Sequence, residues 1–173
     1  DNMYIALGDS DLAERNDYLK HFGLSDDYYS FDYENIHFLA ISTDQKSKTE
    51  FGIYSDDIQL DFIRTDLSDA ANNPEIDWIV VFMHHPMYTS SSNSYSIDLR
   101  DTLQPIFDRY GVNLVINGHM HAYERTNPMM FNDIITDNAD CLYEHPDGQI
   151  YLTVGTGGHS HSKFTQKQPW SVI

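Results

Sequence analysis

An α/β fold built on a parallel sheet is what this sequence predicts, and three observations carry it. Two runs, Trp78–Met83 and residues 112–116, are apolar without alternation, as strands buried on both faces are. Helical patterns separate the apolar runs, so strand, helix and strand repeat twice over. Both runs end in histidines, His84-His85 and His119-Met120-His121. That is the carboxyl edge, where open α/β sheets place their ligands.

In chain order, residues 3–7 read as a short apolar strand ending at Gly8-Asp9-Ser10-Asp11, so Asp9 leaves a strand's carboxyl end. Tyr18, Leu19, Phe22 and Leu24 offer a brief helical face closed by Gly23. Residues 28–33 and 36–41 form a hairpin about Glu34-Asn35, since aromatic and β-branched residues flank that turn. The Tyr28-Tyr29 pair reads as sheet packing. Residues 42–55, polar and carrying Gly52, read as a loop. Asp56 or Asp57 then caps a helix whose inner face is Ile58, Phe62, Ile63 and Leu67. Asn72-Asn73-Pro74 breaks it and delivers the chain to Trp78–Met83. Pro86 stops that strand and aims the side chains before it. After a serine-rich loop at 90–96, Asp98 caps a helix carrying Leu99, Leu103, Ile106, Phe107 and Tyr110. Pro105 should kink or divide this helix. Gly111 closes it ahead of the run at 112–116.

Composition bounds the function. A chain of 173 residues fits one domain with a sizeable core. Its 27 acidic and 10 basic residues give a formal net charge of -17. That field repels nucleic-acid backbones and anionic membranes. It suits an exported or salt-adapted protein, and clustered carboxylates tolerate divalent cations. No run of about 18 apolar residues is present, so no membrane span is expected, and no charged stretch leads into an apolar one as in a signal peptide. Cys141 is the single cysteine, which excludes an intrachain disulfide and a thiolate metal site. It reads as a packing residue or a bystander. Lack of disulfides suits the cytosol while the acidity leans outward, which leaves the compartment open.

Neutral imidazole is the commonest metal ligand. An isolated H-x-H is more often two solvated loop histidines. Here Asp9, His84, His119 and His121 sit at equivalent strand ends and should converge at one rim, which is the argument for a metal site. His119 and His121 reach one site together, or each reaches a different member of a metal pair. Other candidates are weaker. Residues 155–158 lack the Lys-[ST] of a phosphate-binding loop and read as a tight turn. Ser92, Ser94 and Ser96 lack a nucleophile frame. His145, His159 and His161 lie in polar loops and read as solvated, though the last two repeat the H-x-H spacing.

G-H-M-H-A-Y-E-R at 118–125 and V-F-M-H-H-P-M-Y at 81–88 carry a family resemblance, joined by the segments at 28–43 and 153–158 in the same order. The chain resembles the calcineurin-like metallophosphoesterases and, within them, the purple acid phosphatases. The resemblance implies part of a β-sandwich flanked by helices. Residues 1–173 would be a single, incomplete domain: the motifs D-x-[GH] and G-D-x-x-[DY] would precede Asp1, and a closing strand would follow Ile173. It also implies two divalent or mixed-valence ions, of iron, manganese or zinc, in the intact protein, and fewer or none in this chain alone. His84 and His119 would ligate the second metal and His121 the first. Asp9 and Ser10 stand where the family's G-N-H motif has Asn and His, so Asp9 would ligate in place of an amide. Tyr88 would lie on the substrate side, and Tyr123, Glu124 and Arg125 would hold the histidine loop.

The reaction implied is hydrolysis of a small phosphoester, as a phosphatase or phosphodiesterase, by metal-bound hydroxide. Two departures bear on it. Ser10 cannot replace an imidazole as proton donor, and residues 90–99 lack the histidine that relatives turn toward phosphate. His85 is a candidate catalytic residue as the stand-in for that phosphate-facing histidine, although its place beside Pro86 favours packing. The alternative is an impaired or inactive extracellular or cell-surface domain that retains the fold. Either reading gives the chain the rest of a larger polypeptide, or a neighbouring subunit, as its partner.

Overall fold

The computed structural model describes residues 3–43, 57–91, 96–135, 147–158, 160–164 and 166–172. The elements are α1 (Arg15–Phe22), β1 (Tyr29–Tyr33), β2 (Ile36–Ile41), α2 (Asp57–Asn72), β3 (Trp78–Met83), α3 (Ser96–Tyr110) and β4 (Leu114–Asn117). Four short strands complete them: β5 (Tyr123–Arg125), β6 (Met129–Met130), β7 (Asp133–Ile134) and β8 (Ile150–Val154). One sheet runs β1-β2-β3-β4-β8-β5, and β6 pairs with β7 as a separate ribbon. β2, β3, β4 and β8 are mutually parallel, while β1 and β5 close the two edges antiparallel. The continuous apolar runs are therefore interior parallel strands, as their lack of alternation requires.

Strand alternation sends Leu39, Ile41, Ile79, Val81, Met83, Val115 and Tyr151 to one face, where α2 and α3 cover them. Burying each large aliphatic side chain there contributes roughly 1.5–3 kcal/mol. The helix phase differs from the sequence pattern. Ile58 is exposed, and the inner face of α2 is Leu60, Ile63, Leu67 and Ala70, with Phe62 at its margin. The reason is tertiary: β2 and β3 take the side of the helix that is apolar in its later turns. Asp98 lies in the first turn of α3 and does not precede it, because the helix begins at Ser96. Pro105 stays inside one undivided helix. Gly23 and Gly111 end α1 and α3 with φ of 67° and 68°, as left-handed caps.

Residues 3–7 are extended but are not a strand of either sheet. Tyr29 replaces the ladder. Its Oη accepts from the Ile5 N–H and its O–H donates to the Ile5 carbonyl, both at 2.8 Å. Tyr4 stacks on Phe31 at 3.7 Å between ring centroids. The segment thus lies across the face of β1, opposite the helices, and carries Asp9 to the rim by that route. Arg15 of α1 clamps the buried Asp27 with two hydrogen bonds of 2.9 and 3.0 Å. Asp27 also accepts from Ser42 Oγ at 3.2 Å, which ties α1 to the end of β2.

The loop at 44–55 with Gly52, the caps at Asp56 and at the Asp57 side chain, Ser92, Ser94, Cys141, His145 and His159 lie outside the described residues, as does the side chain of Ser96. No helix among the described residues is long and apolar enough to cross a membrane.

Candidate metal centre

The four parallel strands end on one side, and the turns leaving them carry polar groups that the strands themselves cannot. Thr43 follows β2, His84 and His85 follow β3, His119 and His121 follow β4, and Gly155 follows β8. Asp9 and Ser10 arrive from the N-terminal segment. An open cleft of about 710 Å³ is lined by Asp9, Ser10, His84, His119, His121 and Ser162.

Main-chain contacts fix the histidines. The Gly118 N–H donates to the His84 carbonyl at 3.0 Å, joining the turns after β3 and β4. His119 has φ 57°, a left-handed conformation that costs a residue with a Cβ about 1–2 kcal/mol. Two tight turns follow, with the Met120 N–H on the Gly118 carbonyl at 2.6 Å and the Ala122 N–H on the Met120 carbonyl at 2.7 Å. Gly155 passes so close that a Cβ on it would stand 1.8 Å from the Met120 carbonyl oxygen. The strained loop is thereby held from the β8 side.

The donor atoms converge. His84 Nε2 is 3.1 Å from His119 Nδ1 and 3.2 Å from Asp9 Oδ1. His119 Nδ1 is 3.6 Å from Asp9 Oδ2. Ligands bonded to one ion at about 2.0–2.1 Å stand about 2.8–3.4 Å apart in octahedral or tetrahedral geometry. Two edges of the triangle fall in that range and the third, at 3.6 Å, is slightly longer, so the three atoms are close to one face of a coordination shell. His85 stands behind it, and one ring nitrogen from each of His84, His85 and His119 lies within 4.8 Å of the others.

Charge agrees with geometry. Burial pushes His84 below the ordinary histidine value, reinforced by His119. Burial also pulls His119 down. His85 is driven down to about 3 by burial and by its two histidine neighbours. Burial alone would raise Asp9, but His84, His119 and the hydrogen bond at Ser10 outweigh it and hold the carboxyl low. One carboxylate facing neutral imidazoles is a nitrogen and oxygen donor set suited to iron, manganese or zinc, so the residues fit a cation.

Several expected side chains stand elsewhere. Tyr88 is 1% exposed and bonds Gln104 and Asn132 through its hydroxyl, so it cannot meet a substrate. The turn at Pro86 buries it in the core formed with α3. Glu124 is buried and accepts from the Ser90 N–H at 2.8 Å and Ser90 Oγ at 2.5 Å, so it anchors the serine-rich loop. Tyr123 is exposed on the sheet face away from the helices, paired with Val154. Arg125 lies in β5, where its carbonyl accepts from the Val172 N–H at 2.9 Å. His85 is not among the residues lining the cleft, although one of its ring nitrogens lies within 4.8 Å of those of His84 and His119, which are. Sequence reasoning missed Thr43, whose hydroxyl lies 3.0 Å from His85 Nδ1. In sequence β2 reads as the return strand of a hairpin, which hides that it is also a parallel strand ending at this rim.

The sequence profile of the calcineurin-like phosphoesterases matches residues 1–123. Purple acid phosphatase 18 of Arabidopsis thaliana is 30% identical over 152 residues, covering 84% of this chain and 31% of that protein. Purple acid phosphatase 23 of the same plant is 33% identical over 140 residues, covering 76% and 26%. The structure of purple acid phosphatase PPD1 from yellow lupin seeds superposes with a TM-score of 0.69 at 25% identity, covering 84% of this chain and 26% of that one. The chain thus spans about a third or less of the length of these relatives. A parallel sheet with histidines at its carboxyl rim and a profile match over most of the sequence have one reading: this chain belongs to the calcineurin-like phosphoesterase family, in its purple acid phosphatase-like branch.

Proposed function

We propose that this chain is the histidine-bearing part of a metal-dependent phosphoester hydrolase. The observation that carries the reading is the triangle of Asp9, His84 and His119, with edges of 3.1, 3.2 and 3.6 Å. These three hold one ion, and His121, on the same cleft, faces a second. Iron, manganese and zinc all suit the donors. The remaining ligands come from another part of the polypeptide or from a neighbouring subunit. Bound metal ions supply the nucleophile by acidifying water and clamp the phosphoryl oxygens.

This chain's own residues set the substrate preference. Asp9 brings the negative charge that neutral imidazoles lack. Ser10 lines the cleft and can hydrogen-bond a phosphoryl oxygen, but a hydroxyl does not protonate an alkoxide leaving group near neutral pH. General-acid help, typically worth about 10²–10⁴-fold, is then missing. Esters with good leaving groups are favoured over alkyl phosphates.

In the intact protein the expected result is bound metal by elemental analysis together with hydrolysis of an aryl phosphate such as p-nitrophenyl phosphate. His119→Ala should cost both by about 100-fold or more, since even the partners of metal ligands are worth about 10–100-fold. Full metal occupancy with no hydrolysis from acid to alkaline pH overturns the reading. That outcome would favour a second one, a non-catalytic extracellular or cell-surface domain. Ser10 and the absence of histidine from residues 90–99 support it, and the net charge of -17 supports the address. Recovery of activity by Ser10→His separates a narrow lesion from a lost site.

A further inference from the structure

We propose that His85 is itself a metal ligand, the third imidazole of a shell shared with His84 and His119, and that Thr43 holds it in the ligating tautomer. The inference rests on the metal-centre reading above and goes beyond it by adding a ligand and the residue that positions it. His85 lies beneath the cleft, 4.3 Å from His119 and 4.9 Å from His84 between ring centroids. One ring nitrogen from each of the three lies within 4.8 Å of the other two, close enough for a single cation to take all three.

The bracing of His85 gives the second argument. Thr43 is 4% exposed, and its Oγ1 accepts from the His85 backbone N–H at 3.1 Å and meets His85 Nδ1 at 3.0 Å. Asn117, 3% exposed, donates from Nδ2 to the His85 carbonyl at 3.2 Å. A hydroxyl oxygen has two lone pairs. The backbone N–H takes one, and the other is placed to accept from Nδ1–H, the tautomer that leaves Nε2 to ligate. A ligating histidine that gives its other N–H to a fixed oxygen is the arrangement that orients metal-bound imidazoles generally. A histidine serving only as filler has no use for a buried hydroxyl and a buried amide that together fix both its main chain and its ring.

The test loads the intact protein with one equivalent of Cu²⁺ and counts coordinated imidazoles by pulsed electron paramagnetic resonance. Three are expected in the wild type and two in His85→Ala. In parallel, Co²⁺ titrations followed by visible absorption should show His85→Ala weakened by about 100-fold or more, and Thr43→Val by about 10-fold with recovery in Thr43→Ser. Far-UV circular dichroism reports whether each variant folds, and the wild-type count needs no variant. A wild-type count of two, or Co²⁺ affinity and spectra unchanged in both His85→Ala and Thr43→Val, overturns the role of His85 and leaves the metal centre standing. Failure of the wild type to bind either ion overturns the metal centre as well.

Discussion

At the scale of single residues, His37 shows how a side chain unrelated to the cleft can control stability. It is 6% exposed and spans Asp32 Oδ1 at 2.7 Å and Asp66 Oδ2 at 2.9 Å, while Ser30 Oγ donates to Asp66 at 2.5 Å. Asp69 lines the same hollow. Burial alone would lower its pKa, but the two carboxylates outweigh burial and raise it. Asp66 is the stronger partner, because the Asp32 side chain is half exposed and screened by water. A raised folded pKa means this stabilisation is fully present below the unfolded value of about 6.5 and is lost as pH rises through the folded value. The urea midpoint of the wild type should therefore fall as pH rises above about 6.5 and through the raised folded value, whereas His37→Gln should show a flatter profile. Equal slopes in the two proteins would contradict the clip. Little of this was legible in the sequence. His37 sits inside a hydrophobic strand, and its partners come from β1 and from α2, which only the paired sheet brings alongside.

At the scale of elements, the turn after β8 and the turn after β4 act as one unit. A methyl group on Gly155 would collide with the Met120 carbonyl, so Gly155→Ala must push the His119-Met120-His121 loop outward. Overpacking of this kind costs about 1–3 kcal/mol. The displacement of two proposed ligands should weaken Co²⁺ binding by about 10-fold or more; unchanged binding would show that the loop is not held from β8. In α2, Leu67→Ala should destabilise by about 2–5 kcal/mol in urea unfolding, as a fully buried core leucine does, while Ile58→Ala should cost under about 0.5 kcal/mol because Ile58 is exposed. The sequence shows that this stretch is a helix and shows an apolar side. Periodicity with several apolar residues per turn leaves the phase open, and contact with β2 and β3 decides it.

At the scale of the whole molecule, the two faces of the sheet differ. α2 and α3 bury one face. On the other, Phe31, Phe38, Phe82, Leu114, Ile116 and Leu152 are only half-buried, and Tyr123 and Val154 are exposed. The segment at 3–7 lies across it, with Tyr4 stacked on Phe31. Parallel sheets are normally covered on both faces. The 173-residue chain by itself should bind a hydrophobic dye and self-associate in light scattering. Phe82→Asp should reduce both while lowering stability little; a monomer that ignores the dye would show the face to be covered. By itself the sequence determined the parallel strands, the helices between them, the hairpin at Glu34-Asn35 and the histidines at the carboxyl rim, because unbroken apolar runs and turn residues are local signals. Only the tertiary structure decided that Tyr88 is core, that Glu124 anchors Ser90, that residues 3–7 lie across the sheet and that Thr43 reaches His85. Each of these depends on where strands distant in the chain come to rest beside one another, and no local pattern of residues encodes that.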